Sequence, residues 1–239
     1  MIIDQLKSRY PKVYQFLREL KRLLQPLALP DSSAMLSSTQ RGVRQEITPL
    51  LSDQIPLLDI GAGCRGVGRA IKMDIGHSTD LDLVGDAHHL PFRQESIGCV
   101  WMGGVIEHIE RPVEVANEIA RVLKKKGLVY IETPFFQRVH AAPCDFQRFT
   151  QEGLRRLFER NGFRTVKSGV IAGPSAACSH VLRTYMSLLF SFNNENIFHV
   201  LYYYVFGWIF FPVKFFDFFL IRHAQSDLMA FGIYYLGQK

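Results

Sequence analysis

The run Leu57-Leu58-Asp59-Ile60-Gly61-Ala62-Gly63-Cys64-Arg65-Gly66 constrains the chain more than any other. Three apolar residues around one acid read as a buried strand, and a glycine-rich turn follows at once. Glycine has no Cβ, so a backbone that turns this tightly passes close to a ligand. A strand feeding such a turn opens a nucleotide-type binding domain, and the downstream pattern agrees. Candidate strands at 70–74, 81–86, 97–102, 128–132, 164–170 and 231–236 follow. A helix is predicted from Pro112 through Lys124–Lys126, with Gly127 as its stop, and another from a Thr150 cap to Asn161-Gly162. The alternation predicts an α/β, Rossmann-like, doubly wound and mostly parallel sheet. The gaps on either side of 70–74 are shorter than the roughly dozen residues a crossover needs, so that edge is expected to be pared down.

Around this core the sequence divides into residues 1–40, an N-terminal helix and linker, and residues 41–239, the main domain, with a helical insertion at about 175–228. The N-terminal helix is amphipathic (Val13, Tyr14, Leu17, Leu20, Leu24), and residues 1–25 set six basic side chains against two acidic ones. That cluster suits an anionic membrane surface or nucleic acid, and equally a solvated helix face. The insertion is almost wholly apolar and aromatic from Ile197 to Ile221. Its uncharged run, Val200 to Val213, has 14 residues, against about 20 for a membrane span. A strand at 231–236 returning to the sheet also argues against a single crossing. A membrane-interface element, a lid over an apolar substrate, and a cap on the domain or on a second copy all stay open, as does a homo-oligomer. The four cysteines lie far apart with no CxxC pair, which points to a reducing compartment, and no apolar signal core is visible near residue 1. A cytoplasmic protein with membrane association is expected.

The glycines alone fit a dinucleotide pyrophosphate. Asp59, two residues before Gly61, argues against it, because a carboxylate there repels a doubly charged pyrophosphate and attracts a ligand carrying ammonium and sulfonium groups. Residues 57–63 resemble the first motif of class I S-adenosylmethionine-dependent methyltransferases. The similarity continues through Asp74, Gly85-Asp86-Ala87-His88-His89-Leu90-Pro91-Phe92, Val105-Ile106-Glu107-His108-Ile109 and Ile119-Ala120-Arg121-Val122-Leu123-Lys124 to Gly127-Leu128. This order resembles the type 11 group over roughly residues 50–170. Arg65 departs from it, standing where a third alternating glycine is common.

The resemblance implies S-adenosylmethionine as cofactor. Gly61, Ala62 and Gly63 would form the turn under its methionine part, and Asp59 would attract its amino group. Asp74 would take the ribose hydroxyls, Asp86 and Ala87 the adenine, and Met102 and Gly103 would line its reacting face. Beyond the fifth strand, His140, Pro143, Asp145 and Arg148-Phe149-Thr150 resemble a stretch in a bacterial subset of these enzymes, some associated with surface-glycan or lipid biosynthesis. His140 is the first candidate general base and His108 the second. Asp145 and Arg148 are candidate substrate contacts or, equally, an i,i+3 ion pair; Glu107-His108 could instead anchor the loop. Adjacent His88 and His89 without further ligands make no metal site, and no metal is expected. The function so implied is O-methylation of a small-molecule, lipid or lipid-linked saccharide acceptor. The competitors are an NAD-dependent oxidoreductase and a non-catalytic ligand-binding or scaffold protein. Nucleic acid is disfavoured as acceptor, since no Asn/Asp-Pro-Pro-aromatic tetrapeptide is present.

Overall fold

The computed structural model describes residues 56–63, 66–76, 80–141 and 144–239. The expected N-terminal helix and linker, the short helix at 43–51, and Cys64, Arg65 and Pro143 lie outside the described residues.

Seven strands form one sheet: β1 (Leu57–Ile60), β2 (Ile71–Asp74), β3 (Leu83–Val84), β4 (Ile97–Gly103), β5 (Leu123–Pro134), β6 (Arg164–Ala172) and β7 (Gly232–Gln238). Their order is β3-β2-β1-β4-β5-β7-β6. The pairs β1–β2, β1–β4, β2–β3 and β4–β5 are parallel, while β7 runs antiparallel to both neighbours. This is the Rossmann-like, mostly parallel sheet that the sequence predicts. The central strands are buried on both faces, as strands covered on both sides must be. Val100, Met102, Val129, Ile131, Ile233 and Tyr235 point into the larger core, while Trp101, Tyr130, Tyr234 and Leu236 alternate with them in a second, aromatic cluster. The β2–β3 edge is indeed short: β3 keeps two residues of the expected 81–86.

Strand ends shift by a residue or more from the sequence reading, and one shift moves a whole run from helix to strand. Helix α1 is Pro112–Val122, and β5 begins at Leu123, so Lys124–Lys126 are extended rather than the last helical turn. Leu123 pairs with Ile97 on β4, and that pairing takes the lysines into the sheet rather than the helix. α2 (Gln151–Arg160) starts where expected, with the Thr150 hydroxyl accepting from Gly153 N–H at 3.0 Å.

Between β6 and β7 lie α3 (Pro174–Phe190) and a helical stretch, α4 (Glu195–Leu220). The chain divides into two compact units, one holding Leu182–Val213 and the other the sheet and Lys214–Lys239. α4 passes through a π turn at Leu201–Val205 and a 3-10 turn at Phe211–Phe216. Pro212, which has no N–H to give to the ladder, stands in the second irregularity. Asp217, the acid near the apolar run's end, is buried. Its carboxylate accepts the main-chain N–H of Ser175 (2.7 Å) and Ala176 (3.0 Å), two of the orphan donors at the start of α3. A Cβ on Gly173 would lie 2.4 Å from that carboxylate, so the close approach requires glycine there.

Candidate active site

The turn after β1 is held to the end of β2. Gly61 and Ala62 N–H both donate to Met73 carbonyl, at 2.8 and 3.1 Å. Gly61 has φ +72° and Gly63 φ +52°, values that favour glycine. The two glycines differ in surroundings. A Cβ on Gly63 would meet nothing within 4 Å, whereas one on Gly61 would lie 2.2 Å from Val105 Cγ2. Gly61 therefore lets Val105, at the start of the Ile106–His108 turn, pack directly on the β1 turn. Glycine at 61 brings two loops together, and glycine at 63 leaves the face of the turn open.

Two carboxylates, Asp59 and Asp74, hold this turn, and a third, Asp86, holds the turn after β3, each through main-chain N–H groups. Asp59 is 3% exposed and accepts from Val67 N–H at 2.8 Å. Asp74 accepts from Gly63 and Gly76 N–H, both at 2.9 Å. Asp86 accepts from the N–H of His88 at 2.9 Å and faces its Nδ1 at 2.7 Å. A carboxylate offers about four acceptor positions, so Asp74 and Asp86 keep capacity for a ligand's donors. Gly85 to Phe92, with Ala87 buried in it, is latched to α1. Arg121 donates to Leu90 and Phe92 carbonyls (both 2.9 Å) and pairs with Glu118, which accepts from Leu90 N–H (2.8 Å). One expected contact needs correction. The Met102 side chain is fully buried in the larger core, because strand alternation puts it on the same face as Val100. Gly103, at the strand's end, is exposed.

Beyond the carboxyl ends of β4 and β5 the structure gathers a second group. Glu107 is 1% exposed. Its Oε2 accepts from Thr133 Oγ1 at 3.2 Å, while Oε1 has no hydrogen-bond partner among the described residues. That oxygen lies 3.8 Å from His108 Nε2 and 3.8 Å from His140 Nε2. The two imidazoles meet edge to face, centroids 4.9 Å apart. Burial pushes the Glu107 carboxyl above its usual range, only partly offset by hydrogen bonds and the neighbouring positive groups. Burial likewise lowers His140, against the opposing pull of Asp145. Asp145 joins Arg148 in a two-pronged ion pair (Nη2 to Oδ2, 2.6 Å) and accepts His140 N–H at 2.9 Å. The guanidinium bonds hold the Asp145 carboxyl down to about 2. Arg148 also reaches the carbonyls of Gln137, Arg138 and Gln147. Phe146 N–H donates to Glu107 carbonyl (2.9 Å), and Gln147 Nε2 to Ile109 carbonyl (2.7 Å), fastening the 137–148 segment over the Ile106–His108 turn.

His108, His140, Asp145 and Arg148 are thus brought together. Asp145–Arg148 is the i,i+3 pair, bent into a brace for His140. Glu107 is the residue sequence reasoning underrated. Its position beside His108, directly after the strongest strand, was the available signal.

The sequence profile of the methyltransferase domain family matches residues 58–131, which run from β1 to the middle of β5. With the carboxylate-lined turn, that match decides the assignment. This chain carries a class I methyltransferase domain. S-adenosylmethionine is the cofactor of such domains, and the arrangement fits it: among the described residues nothing would meet a side chain at Gly63, and the carboxylates of Asp59 and Asp74 hold the turn. Over 123 residues this chain is 33% identical to the biotin biosynthesis bifunctional protein BioHC of Cellvibrio japonicus, covering 43% of this chain and 24% of that protein. It thus spans about a quarter of that relative's length. Among solved structures, an S-adenosylmethionine-dependent methyltransferase from Archaeoglobus fulgidus shares the fold with TM-score 0.51 and 16% identity, over 84% of this chain and 94% of that one. The [4+2]-cyclase SpnF shares it with TM-score 0.50 and 14% identity, over 84% and 81%. At such identities the likeness concerns the fold, and the methyltransferase fold also carries a cyclase.

Proposed function

We propose that the protein transfers the methyl group of S-adenosylmethionine to an oxygen of a small-molecule, lipid or lipid-linked saccharide acceptor. The observation that carries this reading is the Glu107–His108–His140 cluster beyond the carboxyl ends of β4 and β5, where ligands of open α/β sheets bind. When bound, the cofactor supplies an electrophilic methyl on a sulfonium. The chain's own residues align the acceptor and handle its proton. His140, with burial keeping it neutral, is placed to take the proton, and His108 stands behind it. Arg148 braces Asp145, which orients His140. Asp59 speaks against a nicotinamide cofactor on the same turn.

The acceptor class rests on α4. Phe215, Phe216, Phe218, Phe219 and Trp208 are exposed, and its most apolar window is only 17% buried. Such a surface suits an anionic membrane or an apolar acceptor. One crossing does not suit it, because β6 before it and β7 after it pair in the same sheet. α4 is therefore read as lying on a membrane surface, with the rest of the protein cytoplasmic.

Transfer of radiolabelled methyl into a native lysate, split into lipid, glycan, protein and nucleic-acid fractions, tests the acceptor. Label is expected in the lipid or glycan fraction and should disappear with His140→Ala. Label confined to protein or nucleic acid would contradict the reading. Flotation with anionic vesicles tests the surface: binding should be lost on deleting 197–221, and no binding by the full chain would overturn it.

A further inference from the structure

We propose that Glu107, His108 and His140 form a binding site for a divalent transition-metal ion of the zinc type. Sequence reasoning weighed only His88-His89 for such a role. The fold instead gathers three ligand atoms from two segments: Glu107 Oε1, His108 Nε2 and His140 Nε2, all within 4.8 Å of one another.

The tautomers carry the inference. His108 Nδ1 lies against the carbonyl of Cys144, an acceptor only, so Nδ1 carries the hydrogen and Nε2 presents a lone pair. His140 Nδ1 faces Arg138 carbonyl and Asp145 Oδ2, both at 3.4 Å and again acceptors, so its Nε2 presents a lone pair too. The third member, Glu107 Oε1, lies on a side chain that is 1% exposed and has no hydrogen-bond partner among the described residues. With both rings neutral and Glu107 ionised, three acceptors converge, and a positive centre relieves a buried arrangement of that kind. Imidazoles whose second nitrogen donates to a carbonyl or carboxylate are the usual form of histidine metal ligands.

The spacing is close to what an ion requires. A triangle with two 3.8 Å sides and a third of at most 4.8 Å has its centre no more than about 2.5 Å from each corner. Zinc bonds imidazole and carboxylate at about 2.0–2.2 Å, so a few tenths of an ångström of ring rotation closes the set. Two imidazoles and one carboxylate select a borderline ion over magnesium or calcium, which prefer oxygen. Three protein ligands are the number found in catalytic zinc sites, which keep a fourth position for water or substrate. Gly104, with φ +71° and no side chain, lies beside Oε1; a Cβ there would come within 3.6 Å of it.

The ion's task rests on the methyl-transfer reading, whereas its binding does not. An acceptor hydroxyl on the fourth position becomes acidic, and its proton leaves to solvent, since both Nε2 lone pairs are then engaged. The oxygen–methyl bond forms as the methyl–sulfonium bond breaks, and the latter's electron pair stays on sulfur. His140 and His108 then serve as ligands, in place of the proton acceptors they are in the metal-free form.

Titration of the full chain with zinc chloride and manganese chloride, after chelation and dialysis, tests the site by calorimetry and by metal analysis after gel filtration. One equivalent of zinc is expected to bind with micromolar or better affinity. His140→Ala should weaken it at least tenfold, and Glu107→Gln as much or more, with the melting temperature of His140→Ala and its S-adenosylmethionine affinity kept. No zinc or manganese binding below millimolar concentration, or zinc binding unchanged in His140→Ala, would overturn the proposal. The titration needs no acceptor, so its failure would leave methyl transfer with a His140 base standing, and failure of methyl transfer would leave the titration standing.

Discussion

The carboxylates at the two ends of this site are treated differently by the fold. Asp59 and Asp74 stand at the β1 turn and Asp86 in the turn after β3, and each has an oxygen bonded to main-chain N–H groups that shape the turns themselves. Glu107, more deeply buried than Asp59, sends one oxygen to Thr133 and leaves the other against two imidazole nitrogens. The first set holds turns in shape. The second is polar capacity held in the interior without a partner, which costs stability unless something occupies it. Main-chain satisfaction is what a fold requires of a buried acid, and departure from it marks where chemistry is prepared.

Substitutions on the two sides should separate in kind. His140→Ala should have the largest effect, a fall of about 10²–10⁴ in methyl-transfer rate, read in the lysate assay, with S-adenosylmethionine affinity unchanged. A loss of cofactor affinity instead would mean that the two sides are not separable. Gly61→Ala comes next. A Cβ there strikes Val105 Cγ2 at 2.2 Å and must sit at φ +72°. Unfolding by denaturant should show a loss of about 2–4 kcal/mol, and the displaced Val105 should carry the His108 cluster with it.

Asp59→Asn follows, removing a charge from a buried acceptor. The dissociation constant for S-adenosylmethionine should rise about 10–100-fold, the worth of one hydrogen bond to a charged group. Gly63→Ala sharpens the contrast with Gly61. Its φ of +52° is also left-handed, but a Cβ there meets nothing within 4 Å, so a loss of only about 1 kcal/mol is expected in the same denaturant measurement. Equal losses at 61 and 63 would show that backbone conformation, and not contact with Val105, decides both.

The sheet and the β1 turn were legible because they are written in contiguous residues. The strand 57–60, the glycine turn, and Asp59 two places before it carry their meaning within a single segment. The strand at 97–103 and the Thr150 cap were equally local. The Lys124–Lys126 run was not, since its extended shape follows from Leu123 pairing with Ile97, a partner that no local pattern reveals. Nor was Met102, whose side chain direction depends on which face of β4 the core occupies. The acceptor end was half legible. His108, His140, Asp145 and Arg148 could be picked out by residue type. That Glu107 stands between two imidazoles required the 137–148 segment to be fastened across the Ile106–His108 turn by Phe146, Gln147 and Arg148. Asp217 shows the same limit: in sequence it interrupts an apolar run, and in the fold it caps α3.

The central claim is that acids around the β1 turn make this a site for a cationic cofactor rather than a pyrophosphate. Calorimetric titration of the full chain with S-adenosylmethionine and, separately, with NAD tests it most directly. Saturable S-adenosylmethionine binding, weakened in Asp59→Asn, with no heat from NAD, is the expected result. NAD binding in the absence of S-adenosylmethionine binding would contradict it.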